Sequence, residues 1–483
     1  MNNQIIKNMK RLYFIISIIL GCMFFPSKGQ HASYSIDLDS ARVINNAIVM
    51  RTNARGYKEY VMMPTQYGKN LAIGKPLVVT VEDSPSTYQS NVYKFEGLDG
   101  MVVNDMVLKN NNTIFFGGYR NGKAVYGTLD MTSANFTINV ICDNNALHCK
   151  AIAYRSFSGV DYLFTGDQWT SDTAKISSFS TSGGGLSHNT TCNFVNTFSH
   201  VDVALSQHTT LSSVYGVSIG KISSQQVAIF RNALSNLQTS LLGKRKVDLP
   251  SNWQWHEGGG SVVRIAADIF VAALDVRCDT AEKDGIWLLK FTAANTTINM
   301  IDAKLIEFPT RKLTVKDLYF VNDLKKGGKL CIAGQYIDAT VPSSGYGCPF
   351  ILQIDTNFTN ERVKRFAMHY ADYEKSNFTL NKMCYNAATY NIIAVGSYWR
   401  YPPTYQKGGI YFAVNSVFSN TSPQACVEEL AVTHESTTRF ISSISGMNAI
   451  TTGYESDVRT SICSSLEINL GCPRNTSPDG SME

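Results

Sequence analysis

The sequence predicts an all-β chain folded as a β-propeller of four-stranded blades, seven in number, with six and eight as the alternatives. Three observations carry this. A short frame of a polar start, an apolar run, a small residue and an aromatic recurs as "TIFFGGYRN" from Thr113, "DYLFTGDQW" from Asp161, "KLCIAGQYI" from Lys329, "NIIAVGSYW" from Asn391 and "NAITTGYES" from Asn448. Its anchors at Gly118, Gly166, Gly334, Gly396 and Gly453, with weaker members at Gly216 and Ala273, stand about 48 to 62 residues apart, a period suited to four strands with generous loops. The apolar segments between them are short, β-branched and aromatic, bounded by Gly, Asn, Asp and Ser, and show no helical period.

Each part of the chain has its place in this scheme. Residues 1–29 read as a signal peptide, with a basic "KNMKR", an apolar "LYFIISIILGCMFF" and small Ser27 and Gly29 before a cut at Gln30, so the chain is expected to be exported, to the periplasm, the cell surface or the medium. Lipid attachment at Cys22 is the disfavoured rival, because the apolar run continues past that cysteine. No later run is long and apolar enough for a transmembrane helix. Residues 30–472 are assigned to the propeller, with units near 103–150, 151–200, 201–250, 261–310, 316–370, 380–435 and 438–470, and 473–483 to a polar tail. In the unit from Lys316, "KDLYFVN", "KLCIAGQ", "CPFILQID" and "RVKRFAMHY" follow in order; "LNKMCYN", "NIIAVGS", "GIYFAVN" and "EELAVTH" repeat them. The last unit lacks a fourth strand. Strand-like runs within 35–97 are expected either to close the ring or to form an eighth blade, since closure removes exposed sheet edges.

Composition narrows the function classes. Charged residues make up 17% and hydrophobic ones 44%, which excludes a disordered chain, and a net charge of +5 without a basic stripe gives no nucleic-acid footprint. Ten of the eleven cysteines follow the signal segment, which in an exported chain predicts disulfides. Cys142 with Cys149, Cys331 with Cys348 and Cys463 with Cys472 are the pairs that span single short loops. No C-x-x-C pair, metal-spaced histidine cluster or Ca²⁺ loop is present, so no metal and no cofactor is expected.

At this point the chain resembles secreted bacterial β-propeller repeat proteins with kelch-like, long-period blades. The resemblance implies the propeller and nothing finer. It has no WD dipeptide, kelch double-glycine series or sialidase box, so no family's functional residues carry over. Three D-S/T-A strings, at Asp39, Asp172 and Asp279, look like an O-glycosylation acceptor of some Gram-negative bacteria.

Propeller topology places the loops between second and third strands on the same face as the inter-blade connections. Those segments carry Trp169, Tyr346, Tyr398, Trp399, Arg400, Tyr401 and Tyr405, and the connection "NWQWHEGGG" adds Trp253 and Trp255, leaving only Trp287 as a core strand residue. An aromatic plane in a polar loop invites stacking, so these residues are the candidate ligand-binding set, for a glycan or a protein partner. The first functional expectation is thus a binding module. A polysaccharide hydrolase or lyase is the second, with Glu257, His256 and Asp172 as weak catalytic candidates, since no catalytic motif appears. A structural part of a cell-envelope assembly is the third.

Overall fold

A computed structural model describes residues 31–470 except for short stretches, the longest being 207–213, 234–239, 338–346, 367–375, 401–406 and 419–426. Among the described residues there is no helix. The strands form seven four-stranded antiparallel blades in a ring. Blade I comprises Ile48–Thr52, Lys58–Met62, Gly74–Asp83 and Tyr88–Phe95; blade II, Met101–Asn110, Thr113–Arg120, Lys123–Asp130 and Thr137–Asp143; blade III, His148–Phe157, Val160–Thr170, Thr173–Ser182 and Gly185–Val195. Blade IV comprises Ser199–Leu205, Tyr215–Ser223, Gln226–Ala233 and Ser240–Asp248; blade V, Trp253–Arg264, Ile269–Cys278, Lys283–Thr292 and Asn299–Phe308; blade VI, Arg311–Asp323, Gly327–Ile337, Gly347–Asp355 and Arg362–Phe366. Blade VII takes Lys382–Asn386, Asn391–Arg400 and Lys407–Ser416 from the end of the chain and His31–Ser40 from its start.

Hydrophobic burial closes the ring. Among the described residues seven apolar clusters are present, and each lies between two adjacent blades, including one that packs Ile36, Leu38 and Ile393 of blade VII on Ile48, Tyr60 and Val79 of blade I. Sheets covered on both faces account for the nearly continuous apolar middle strands, and Trp287 is fully buried in one of them. The repeated glycine has a steric cause. A Cβ at Gly118 or Gly334 would lie 2.0 or 2.2 Å from the carbonyl oxygen of Val102 or Thr314 on the blade's first strand, and one at Gly396 would lie 2.0 Å from that of Thr379, just before the first strand of blade VII.

Three expectations change. The run 35–97 does hold a blade, but 438–470 does not, so the count stays at seven. The fourth strand of blade VII is the N-terminal His31–Ser40, in register from His31 opposite Asn415 to Ile36 opposite Ile410, where "EELAVTH" was expected. Val427–Leu430, which overlaps the start of that string, instead pairs with the outer strand of blade VI. From there the C-terminal strands form a belt round the rim: Thr433–Ser436 pairs with blade V, Ile441–Ser442 with IV, Asn448–Ala449 with III, Tyr454–Leu466 with II and then I, and Asn469–Leu470 with His31–Ser40 of VII. All seven pairings are antiparallel. A twist of roughly 20–25° per strand rotates a blade's outer edge far from its axial first strand, toward the direction in which the rim itself runs. One extended chain can therefore meet each edge in turn.

The disulfide expectation is also corrected. Among the described residues Cys142, Cys149, Cys331 and Cys348 form no disulfide, nor do Cys278 and Cys384, while the side chains of Cys463 and Cys472 lie outside the described residues. Cys142 packs toward blade I and Cys149 lies in the cluster between blades II and III, so blade II stands between them. Cys348 is opposite Tyr336, which is an odd number of residues from Cys331 and hence on the other face of the sheet. Burial raises the Cys149 thiol far above its usual range and the Cys331 thiol to about 12.

Candidate functional site: the axial pocket

The polar residues that do not fit the blade cores converge on the axis. Five first strands carry a polar interruption at one level, seen in "VVNDMV", "HCKAIA", "HVDVAL", "VKDLYF" and "LNKMCY". In five blades the register slips at or beside this level, at Val103/Asp105, Cys149/Ala151, His200/Val203, Trp255/Gly260 and Val315/Asp317. Such bulges re-aim side chains, here toward the channel.

A charged layer spans the channel at this level. Lys382 Nζ of blade VII lies 3.0 Å from Asp105 Oδ1 of blade II and 3.4 Å from Asp317 Oδ1 of blade VI. The carboxylates also stitch neighbouring blades: Ile152 N–H donates to Asp105 Oδ2 at 2.9 Å, Val262 N–H to Asp202 Oδ2 at 3.2 Å and Met383 N–H to Asp317 Oδ2 at 2.8 Å. Aspartates thus come from blades II, IV and VI, and the donors from III, V and VII. Burial lifts the Asp317 carboxyl to about 6 against the pull of Lys382, and burial likewise raises that of Asp202. Burial acts to lower the Lys382 ammonium, but Asp105, Asp317 and Asp202 outweigh it and hold its pKa well above the usual value. The ammonium occupies the centre that a cation would need, and among the described residues no metal-ligating cluster is present.

Above this layer, toward the N-terminal ends of the first strands, opens a pocket of about 230 Å³. Its walls are Asn46, Asn104 and Asn381, Lys150 and Lys316, Ser261 and the backbone at Ala151 and Gly260. The amides form an arc across blades: Asn381 donates to Asn46 Oδ1 at 3.1 Å, Asn46 to Asn104 Oδ1 at 3.2 Å, and Asn104 to the Cys149 carbonyl at 2.7 Å. Burial, and then the charge of Lys316, lower the Lys150 pKa.

Strand topology puts this mouth on the face of the second-to-third loops and inter-blade connections, where the aromatic set was expected. Trp169 and Trp399 both lie at the ends of second strands on that face. Their neighbours differ from expectation. Trp253, Trp255 and Tyr398 are 6%, 1% and 2% exposed, so these rings do not stand in solvent. The segment taken for a connection is already strand, with Trp253 opposite Cys278 and Trp255 opposite Val276, and its W-Q-W alternation turns both indoles into the core between blades IV and V. Trp255 Nε1 donates to the Gly259 carbonyl at 2.9 Å. Tyr398 packs in the core between blades VI and VII, its ring 6.0 Å from Phe378. Trp399, on the other side of that strand, is half-buried with the Arg42 guanidinium 5.8 Å from its ring. The side chains of Trp169, His256, Glu257 and Arg400, and all of Asp172, Tyr346, Tyr401 and Tyr405, lie outside the described residues.

No known protein family matches the chain, and no curated protein matches it in sequence. The fold and the axial chemistry are what bear on function.

Proposed function

We propose that the protein is a binding module that takes a polar group, of the kind a glycan presents, into the axial pocket on the face of the second-to-third loops. The pocket's wall chemistry carries this reading: side-chain amides, a hydroxyl and two amines from six blades line a concave site with almost no apolar side chain, over a floor of Asp202, Asp317 and Lys382. Each amide in the arc keeps donor or acceptor capacity beyond its bonds to its neighbours, and those bonds fix its orientation before a ligand arrives. At about 230 Å³ the space falls below the roughly 300–1,000 Å³ of sites that engulf a whole small ligand, which suits the tip of a larger one. Lys150 and Lys316 favour a tip bearing a carboxylate.

The experiment is calorimetric titration of the full chain with neutral and acidic oligosaccharides, each mixture also assayed for new reducing ends. Binding of an acidic sugar that Lys150→Ala/Lys316→Ala weakens about tenfold or more, without release of reducing ends, supports the reading. Binding that the double variant leaves unchanged refutes this pocket. Released reducing ends favour a hydrolase instead, with Asp317, raised to about 6, as the first suspect for an acid.

A further inference from the structure

The opposite mouth of the channel has the complementary chemistry, and we infer that it is a second site, for a small organic ammonium ion with an apolar body. Below the charged layer the channel widens into a cavity of about 350 Å³, walled by Met106, Leu108, Ile152, Val203, Leu318 and Met383. That volume lies within the usual range for a small-molecule pocket. Its floor consists of Asp105, Asp202, Asp317 and Lys382, so three carboxyl groups face one ammonium.

The imbalance is located at one residue. Lys382 touches Asp105 and Asp317, whereas among the described residues no cation lies within ion-pair distance of Asp202. Asp202 accepts hydrogen bonds from Ser261 Oγ at 2.5 Å, Val203 N–H at 2.7 Å and Val262 N–H at 3.2 Å. Two carboxylate oxygens offer about four acceptor positions, so capacity for a further donor remains. A ligand ammonium at the floor gains a charged partner held rigidly by backbone donors, while its apolar body covers the aliphatic wall. An anion meets the opposite situation and is rejected; a neutral isostere gains the wall contacts alone. The two mouths of one channel thus select opposite charge, with the Asp/Lys layer between them.

The test is calorimetry on the full chain at neutral pH with three probes of closely similar size: 2-phenylethylammonium, 2-phenylethanol and phenylacetate. The ammonium is expected to bind at least tenfold more tightly than the alcohol, and the carboxylate not at all. Asp202→Asn, nearly isosteric, should cost the ammonium about tenfold and leave the alcohol unchanged. Leu318→Trp, which fills the cavity and leaves every floor group in place, should abolish both. Equal binding of ammonium and alcohol, undiminished ammonium binding by folded Asp202→Asn, or failure of all three probes would each overturn the inference.

Discussion

Replacing Lys382 by Met removes the only ammonium in the channel layer while keeping most of its volume, and the cost can be worked from the geometry. With an effective dielectric of about 20, contacts at 3.0 and 3.4 Å correspond to attractions of about 5.5 and 4.9 kcal/mol. Desolvation of the ammonium cancels much of this. What the variant cannot recover is compensation for Asp105 and Asp317, which are 6% and 4% exposed, and stranding buried partners costs about 3–5 kcal/mol. The loss has a pH signature. Asp317 already sits near 6, and without Lys382 it moves higher, so lowering the pH to 5 protonates it and removes one of the two stranded charges. Urea midpoints read by tryptophan fluorescence should therefore show a loss of about 3–5 kcal/mol at pH 7 that shrinks by more than half at pH 5. A loss below about 1 kcal/mol at pH 7, or an equal loss at both pH values, would show that Lys382 only fills space.

The wild-type protein should become more stable between pH 7 and about pH 5. Burial raises Asp167 and Asp317 to about 6, and a carboxyl whose folded pKa lies above its unfolded value of about 3.9 adds stability that is complete below that value and lost as pH rises through 6. Asp161 and Asp355, where Lys109 and Lys329 outweigh the upward push of burial, act oppositely and lose their contribution below about 3.9. A melting temperature that falls steadily from pH 7 to 5 would contradict this balance. Gly396→Ala forces a methyl to within 2.0 Å of the Thr379 carbonyl and should cost roughly 1–3 kcal/mol in chemical denaturation; a neutral result would mean the strands part freely there. Alkylation followed by mass spectrometry should find Cys149, Cys278, Cys331, Cys348 and Cys384 slow to react in the native chain and fully reactive after unfolding without reductant. Protection that persists in the unfolded, unreduced chain would reveal disulfides.

The architecture was legible because close packing leaves a local trace: wherever a second strand presses on a first-strand carbonyl, glycine is required, and Gly118, Gly334 and Gly396 mark the period. The trace fails where another residue takes that place. In blade III Asp167 is opposite Cys149, one position past Gly166, and in blade IV Gly220 is opposite His200, four past Gly216. Strand partners were less legible, since Tyr454–Leu466 has a blade-like composition and only its neighbours make it part of the belt. The indoles of Trp253 and Trp255 misled because flanking polar and glycine residues concealed a two-residue alternation. The axial site left only small marks, such as Asn104-Asp105 and Lys316-Asp317, each an ordinary polar strand start. Only ring closure brings them together.

The pairing of His31–Ser40 with both Lys407–Ser416 and Asn469–Leu470 sets a timetable for synthesis. The first strand made waits for nearly the whole chain; at about 5–20 residues per second, several hundred residues take on the order of half a minute or more. The thermodynamic toll of so long a loop is small, since each doubling adds only about 0.6 kcal/mol, but the wait leaves Ile36 and Leu38 without their core. When Lys407–Ser416 finally pairs with it, the strand still has an open side, and the last two belt residues cover that side. His31–Ser40 is thereby held between two segments that are both remote from it in sequence, so the ring closes only once both have been made.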